Sequence, residues 1–176
     1  MEQERAFELL RRLGAPARLL VHVELVAEAG EAIISELESL GTIIDKDFIR
    51  CGILLHDVGK TVHLPELGQE GEQHGKTGRA LLLEEGIEPR IAEVCVSHSA
   101  WREAKTVEEL VIACADKLWK GKRVADLEEL LARRVSDELQ LEFWGVFMRM
   151  DSCFEAIAGG GDERLERSRL RGNPDV

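Results

Sequence analysis

Apolar residues recur at intervals of three and four along almost the whole chain, as they do in helices that bury one face, and alternating β-branched runs between turn signals are missing. The pattern predicts an all-α fold, a helical bundle of about seven helices. A first helix is expected over about residues 3 to 13, stopped by Gly14. Pro16 suits the first turn of a long second helix that ends at Gly41, with a bend expected at Gly30 inside it. A third helix begins after Asp45, a good N-cap, and carries Phe48, Ile49, Ile53 and Leu54 on one side. It should stop near Asp57, with Gly59 supplying the stop.

Residues 60 to 72, with Pro65, Gly68 and Gly71, read as a loop. A fourth helix is expected over about 72 to 85, ended by Gly86, and Pro89 opens a fifth that runs to about Ser99. Thr106 and Glu109 fit a capping box for a helix through Leu118 that ends near Gly121; segments 123 to 135 and 137 to 158 carry the remaining helical pattern. Gly159, Gly160 and Gly161 break it, and the charge-rich segment after them lacks an apolar face. Residues 1 to 158 are therefore expected to form a single helical domain, and residues 159 to 176 a flexible tail.

Composition narrows the partners. The 176 residues are 44% hydrophobic and 32% charged, enough apolar material for a packed domain. A net charge of −11 repels nucleic-acid backbones and anionic membranes, so no nucleic-acid polymer and no membrane is expected as a partner, while a small phosphorylated ligand can still be held by local basic groups. No stretch approaches the ~18 apolar residues that span a bilayer, and the N-terminal segment MEQERAFELL is amphipathic; a cytoplasmic protein, monomer or homodimer, is expected. Cys51, Cys95, Cys114 and Cys153 lie far apart in apolar segments and read as reduced core residues.

The chemistry concentrates in a few polar residues that emerge from apolar runs. In LLHDVGKTVH, His56 and Asp57 close the most hydrophobic part of the third helix. His22 lies within LLVHVEL, His74 opens the fourth helix, His98 closes the fifth, and Asp116 interrupts VIACADKLW. Buried imidazoles and carboxylates need partners, and one bundle that gathers four histidines and two aspartates needs a common one. A divalent cation suits them all, and mixed nitrogen and oxygen ligation points to iron or manganese, with zinc, nickel or cobalt as further choices, rather than calcium.

His22, the His56-Asp57 pair in the form H-D-V-G-K, and Asp116 follow in the order of the H…HD…D signature, and over about residues 15 to 125 the chain resembles the HD-domain metal-dependent phosphohydrolases, of HDIG type. His74 and His98 look like the two further histidines of the subgroup that holds two metals. Within it, the H-x-x-x-G pattern at His74 and the run from His98 to Asp116 are similar to small bacterial hydrolases that split diadenosine tetraphosphate symmetrically. The segment HSAWREAKT departs from that group, and Ser99 and Ala100 stand where cyclic-dinucleotide phosphodiesterases of the family carry a histidine and a glutamate. The resemblance implies that His22, His56, Asp57 and Asp116 hold one divalent ion, and that Asp57 bridges to a second held by His74 and His98.

Two such ions would acidify a shared water and neutralise phosphoryl oxygens, so the expected activity is hydrolysis of a phosphoester or phosphoanhydride in a small nucleotide. Asp57 and Lys60 are the expected catalytic residues. Lys60, Arg102 and Lys120 are the expected substrate contacts, with Lys76, Arg79, Lys105, Lys117, Lys122 and Arg123 as further nearby cations. Trp101 and Trp119, beside ligands, are read as core or rim residues, and His63 as a structural or solvated loop residue. Glu66, Glu70 and Glu72 are read as solvated, with a leaving-group acid among them as the alternative. Two other readings of the same cluster are a di-iron oxygenase acting on a small phosphorylated or polyol substrate, and a non-catalytic nucleotide-sensing module.

Overall fold

The computed structural model describes residues 2–63 and 73–172. Among them are nine α-helices and no strand: α1 (Gln3–Arg12), α2 (Ala17–Leu40), α3 (Lys46–Leu55), α4 (Gln73–Glu84), α5 (Pro89–Ser97), α6 (Val107–Leu118), α7 (Ala125–Leu139), α8 (Phe143–Gly159) and α9 (Gly161–Gly172). Short 3₁₀ turns at Val58–Thr61 and Trp101–Glu103 follow α3 and α5. The all-α expectation holds, with more helices than the sequence pattern separated. Glu66, Glu70 and Glu72, with Pro65, Gly68 and Gly71, lie outside the described residues.

The bundle is organised around α2, which packs against α3, α6, α8 and α9. Its interior face includes Leu19, Val23, Leu25, Val26, Ile33 and Leu37, all buried. Its end is set by Gly41, whose φ of 91° is strained for residues with a Cβ. Asp45 caps α3, accepting from the Phe48 amide at 3.0 Å, and Thr106 with Glu109 closes the capping box of α6. Gly30 does not interrupt α2. The helix passes through it unbroken, and a Cβ there would lie 2.4 Å from Cδ1 of Ile53, so the residue serves a close approach of α2 to α3.

Two boundaries differ from expectation. α7 continues to Leu139, past the break expected near residue 136, because Val135 and Ser136 stay on its buried face; Gln140, with φ 54°, makes the turn instead. Glu142 then caps α8, accepting from the Gly145 amide at 3.1 Å.

The segment expected to fray after residue 159 forms α9 through Gly172. Apolar periodicity missed it because charge and close backbone contact, rather than an apolar stripe, hold it down. Arg167 forms a two-pronged pair with Glu28 (2.9 and 2.5 Å), and Arg171 reaches Glu24 at 2.5 Å, both on α2. Arg164 donates to the carbonyls of Trp119 (2.7 Å) and Leu118 (3.3 Å), and to that of Ile157. A cation there complements the negative C-terminal end of α6. A Cβ on Gly161 would lie 2.5 Å from the Gly121 amide nitrogen, so α9 sits directly on the turn that follows α6.

Candidate metal centre

His56 and Asp57 both turn inward because α3 ends beneath them. Leu55 is its last residue, His56 keeps helical angles as the cap, and Asp57 leaves the helix at φ −106°, ψ 12°. The expected helix terminus is present. Gly59, however, is no stop signal: it sits inside the 3₁₀ turn, and a Cβ there would lie 1.9 Å from the backbone oxygen of His74 and 2.7 Å from the Gly78 amide. On the other side of α4, a Cβ on Gly75 would come within 2.7 Å of the Cys95 carbonyl on α5. These glycines let α4 press between the turn and α5, which carries His74 to Asp57 from one side and His98 from the other.

The six residues expected as ligands meet in one buried cluster, in two groups that share Asp57: His22, His56, Asp57 and Asp116 in one, and Asp57, His74 and His98 in the other. Ligand atoms within each group lie within 4.8 Å of one another. Asp57 divides its two oxygens between them. Its Oδ2 lies 3.2 Å from His22 Nε2 and 3.4 Å from His56 Nε2, while Oδ1 lies 3.3 Å from His74 Nε2 and 3.8 Å from His98 Nε2. Oδ1 of Asp116 faces the first group, 3.7 Å from His22 Nε2 and 3.6 Å from His56 Nε2.

The residues present fit divalent cations. His56 Nδ1 lies 2.7 Å from the Ile53 carbonyl and His98 Nδ1 3.0 Å from the Val94 carbonyl. A ring nitrogen bonded to a carbonyl must donate, so in the neutral rings each Nε2 presents its lone pair to the cluster. Lone pairs and carboxylates converging in so small a space repel one another, and a cation between them would relieve that repulsion. Oδ1 of Asp57, at the shared point, is buried and accepts no hydrogen bond among the described residues. Nitrogen and oxygen donors together suit a first-row transition ion.

The electrostatics of His56 and His98 run in opposite directions. Burial opposes charge on His56, but Asp57 and Asp116 outweigh it and raise the imidazole to about 10. Burial lowers His98 to about 4, reinforced by the charge of His56. Burial would likewise raise Asp57 and Asp116, yet the neighbouring histidines hold both well below the usual carboxylate range. Burial also keeps His22 below its ordinary value.

A cavity of about 1300 Å³ opens onto the cluster. Eight cationic side chains line it, and its only lining carboxylates among the described residues are Asp57 and Asp116. Lys60 reaches the cluster through Asp57, donating to Oδ2 at 2.6 Å, and Lys117 donates to Asp116 Oδ2 at 2.8 Å. Lys120 lines the cavity half-buried. Arg102 sits at its exposed rim, stacked over the Trp101 ring at 4.1 Å and paired with Asp126 at 2.7 Å. Lys76 and Lys122 also line the cavity, whereas Arg79, Lys105 and Arg123 do not. Trp101 and Trp119 are buried in its wall, and Trp119 meets the His22 ring edge-on. His63 stays off the cluster, its Nε2 2.8 Å from the Thr77 hydroxyl. The sequence reading missed Arg18, on the first turn of α2, and Leu165, Ser168, Arg169 and Gly172 of α9, all of which line the cavity. The spacing of the last four is that of one helix face, a signal present in the sequence but hidden in a segment judged too polar to fold.

Fold and site together define an all-α protein with a cluster of histidines and aspartates that could hold metal ions. The HD domain family pattern matches residues 19–120, more than half of the chain, and the chain belongs to that family. It is similar to the tRNA (cytidine(56)-2'-O)-methyltransferase of Thermoplasma volcanium, 27% identical over 146 residues that cover 74% of this chain and 40% of the methyltransferase. It is also similar to an uncharacterized protein of Methanocaldococcus jannaschii, 24% identical over 149 residues, 76% of this chain and 84% of that protein. The chain thus spans about two fifths of the methyltransferase's length. No solved structure matches. Among the described residues, no helix is long and apolar enough to cross a membrane.

Proposed function

We propose that this protein is a metal-dependent phosphohydrolase that cleaves a phosphoester or phosphoanhydride of a small nucleotide, with His22, His56, Asp57 and Asp116 holding one divalent ion and Asp57, His74 and His98 a second. The observation that carries this reading is the division of the Asp57 carboxylate, one oxygen toward each group of histidines. Divalent cations held there supply acidified water and charge neutralisation for a phosphoryl group. His56 and His98, fixed by the carbonyls of Ile53 and Val94, hold their rings in ligating orientation without help from substrate. Lys60 neutralises Asp57 and stands where a non-bridging phosphoryl oxygen would approach, Lys120 presents its ammonium to the cavity, and Arg102 is a weaker contact at the rim.

Cations concentrated in one cavity of a chain with net charge −11 favour a small anionic substrate over a polymer that would have to approach the acidic remainder. Diadenosine tetraphosphate, the substrate suggested by the resemblance at His74 and His98, belongs first among candidates. Protein prepared without chelator and reloaded with manganese or iron is expected to release phosphate or nucleotide from a panel of diadenosine tetraphosphate, deoxynucleotides, cyclic dinucleotides and a generic phosphodiester. Oxygen uptake by iron-loaded protein without phosphate release would contradict the hydrolase reading, as would nucleotide binding without turnover in every metal.

A further inference from the structure

The cavity lining reaches past the Asp57 cluster, and Arg18, Leu165, Ser168, Arg169 and Gly172 on its wall lie outside the matched 19–120 region. α9 has two working faces. Arg164, Arg167 and Arg171 are spent on anchoring it to the end of α6 and to Glu28 and Glu24 of α2. Leu165, Ser168, Arg169 and Gly172, offset by one position, line the cavity. Gly172 lies against the backbone of Arg18, where a Cβ would come within 3.2 Å of its Cα, so the cavity-lining end of α9 and the first turn of α2 form one continuous wall.

The charge on this wall differs from that at the cluster. Lys60 and Lys117 answer the carboxylates of Asp57 and Asp116, whereas no carboxylate pairs with Arg18 or Lys120 among the described residues. Arg169 has only an exposed contact with Glu166 of its own helix at 3.4 Å, which contributes little in water. Three cations and the Ser168 hydroxyl thus share a cavity whose two lining carboxylates, Asp57 and Asp116, are already paired with Lys60 and Lys117. The volume of about 1300 Å³ also exceeds the roughly 300–1000 Å³ typical of small-ligand pockets.

We propose that Arg18, Lys120, Ser168 and Arg169 form a second phosphate-binding subsite, and that the substrate class is a nucleotide carrying another phosphate group away from the one held at the Asp57 cluster. Guanidinium pairs favour phosphate over less charged ligands because they donate in a planar fork, and a hydroxyl adds a further donor. The inference rests on the phosphohydrolase reading for its reacting end, but the subsite binds by charge and hydrogen bonding and can be measured without turnover.

The test is calorimetric binding to manganese-loaded protein, comparing adenosine 5′-monophosphate with two probes of different reach, adenosine 3′,5′-bisphosphate and 5′-phosphorylated diadenylate. At least one two-phosphate probe is expected to bind about tenfold or more tightly than the monophosphate, the scale of an added charge-assisted contact. Arg18→Ala with Arg169→Ala, two exposed side chains whose loss leaves the core intact, should bring that ratio close to one while metal content and monophosphate affinity stay as in the parent. Arg169→Lys should restore part of it. A ratio near one in the parent for both probes, or an unchanged ratio in the double variant, overturns the subsite. Preferential binding that disappears in the variant, with no turnover of any phosphoester, upholds the subsite and overturns the hydrolase reading alone.

Discussion

The two halves of the metal centre are made of the same residue types but are built differently. The first half, His22, His56, Asp57 and Asp116, hangs from α2, α3 and α6, which pack directly on one another, with Gly30 and Gly52 receiving the side chains of Ile53 and Ile112. It offers two carboxylates to two histidines, whose charge raises His56 to about 10 while burial still lowers His22. The second half, His74 and His98 with the remaining oxygen of Asp57, hangs from α4 and α5, positioned by glycine contacts around the 3₁₀ turn. Burial with little compensating charge lowers His98 to about 4. One half is thus charge-rich and framed by the core, and the other is charge-poor and dependent on close backbone fit. The difference teaches that the first ion should bind more tightly, and that Asp57 couples the two.

The largest break in that comparison is Asp57→Ala, which removes an oxygen from both halves. Both ions should be lost, and turnover should fall by at least about a thousandfold, as metal analysis and a phosphate-release assay would read. Retention of either ion at parental affinity would contradict the shared role. His74→Ala should separate the halves, leaving one ion per chain and costing about a hundredfold in turnover. Equal weakening of both ions in a titration would show that the halves are not independent.

Gly59→Ala comes next. Its Cβ would meet the His74 carbonyl at 1.9 Å, a backbone atom that cannot step aside, so thermal or urea unfolding should report a loss of about 1–3 kcal/mol. The second ion should weaken before the first, because α4 rather than α2 or α6 must move. The smallest effect is expected from Arg102→Ala. This side chain is exposed and already paired with Asp126, so KM should change by less than about threefold and ion affinities should not move.

The site was more legible in the sequence than the scaffold that serves it. His22, His56, His98, Asp57 and Asp116 stood out because each breaks an apolar run, and a polar group in such a run must meet a partner after folding, whereas His74, in a polar segment, stood out only through the resemblance. Caps were legible for a similar local reason: Asp45, Thr106 and Glu109 act within three residues of themselves. Gly59 and Gly30 were read as local punctuation, a stop and a bend, because the carbonyl of His74 and the side chain of Ile53 that require them lie far away in sequence. α9 was hidden for the same reason. Its partners Glu24 and Glu28 are more than a hundred residues earlier, and nothing within the segment itself marks Arg164 as the cap of α6. Periodicity reports faces that bury apolar surface; it is silent on helices held by distant charge and by contact between two glycine backbones.

The central claim is that one carboxylate joins two metal positions, and electron paramagnetic resonance of manganese-loaded protein tests it most directly. Two manganese ions bridged by Asp57 should bind per chain and give an exchange-coupled spectrum, which His74→Ala converts to the six-line signal of an isolated ion. A parent protein that saturates with a single uncoupled manganese, unaffected by His74→Ala, would contradict the account.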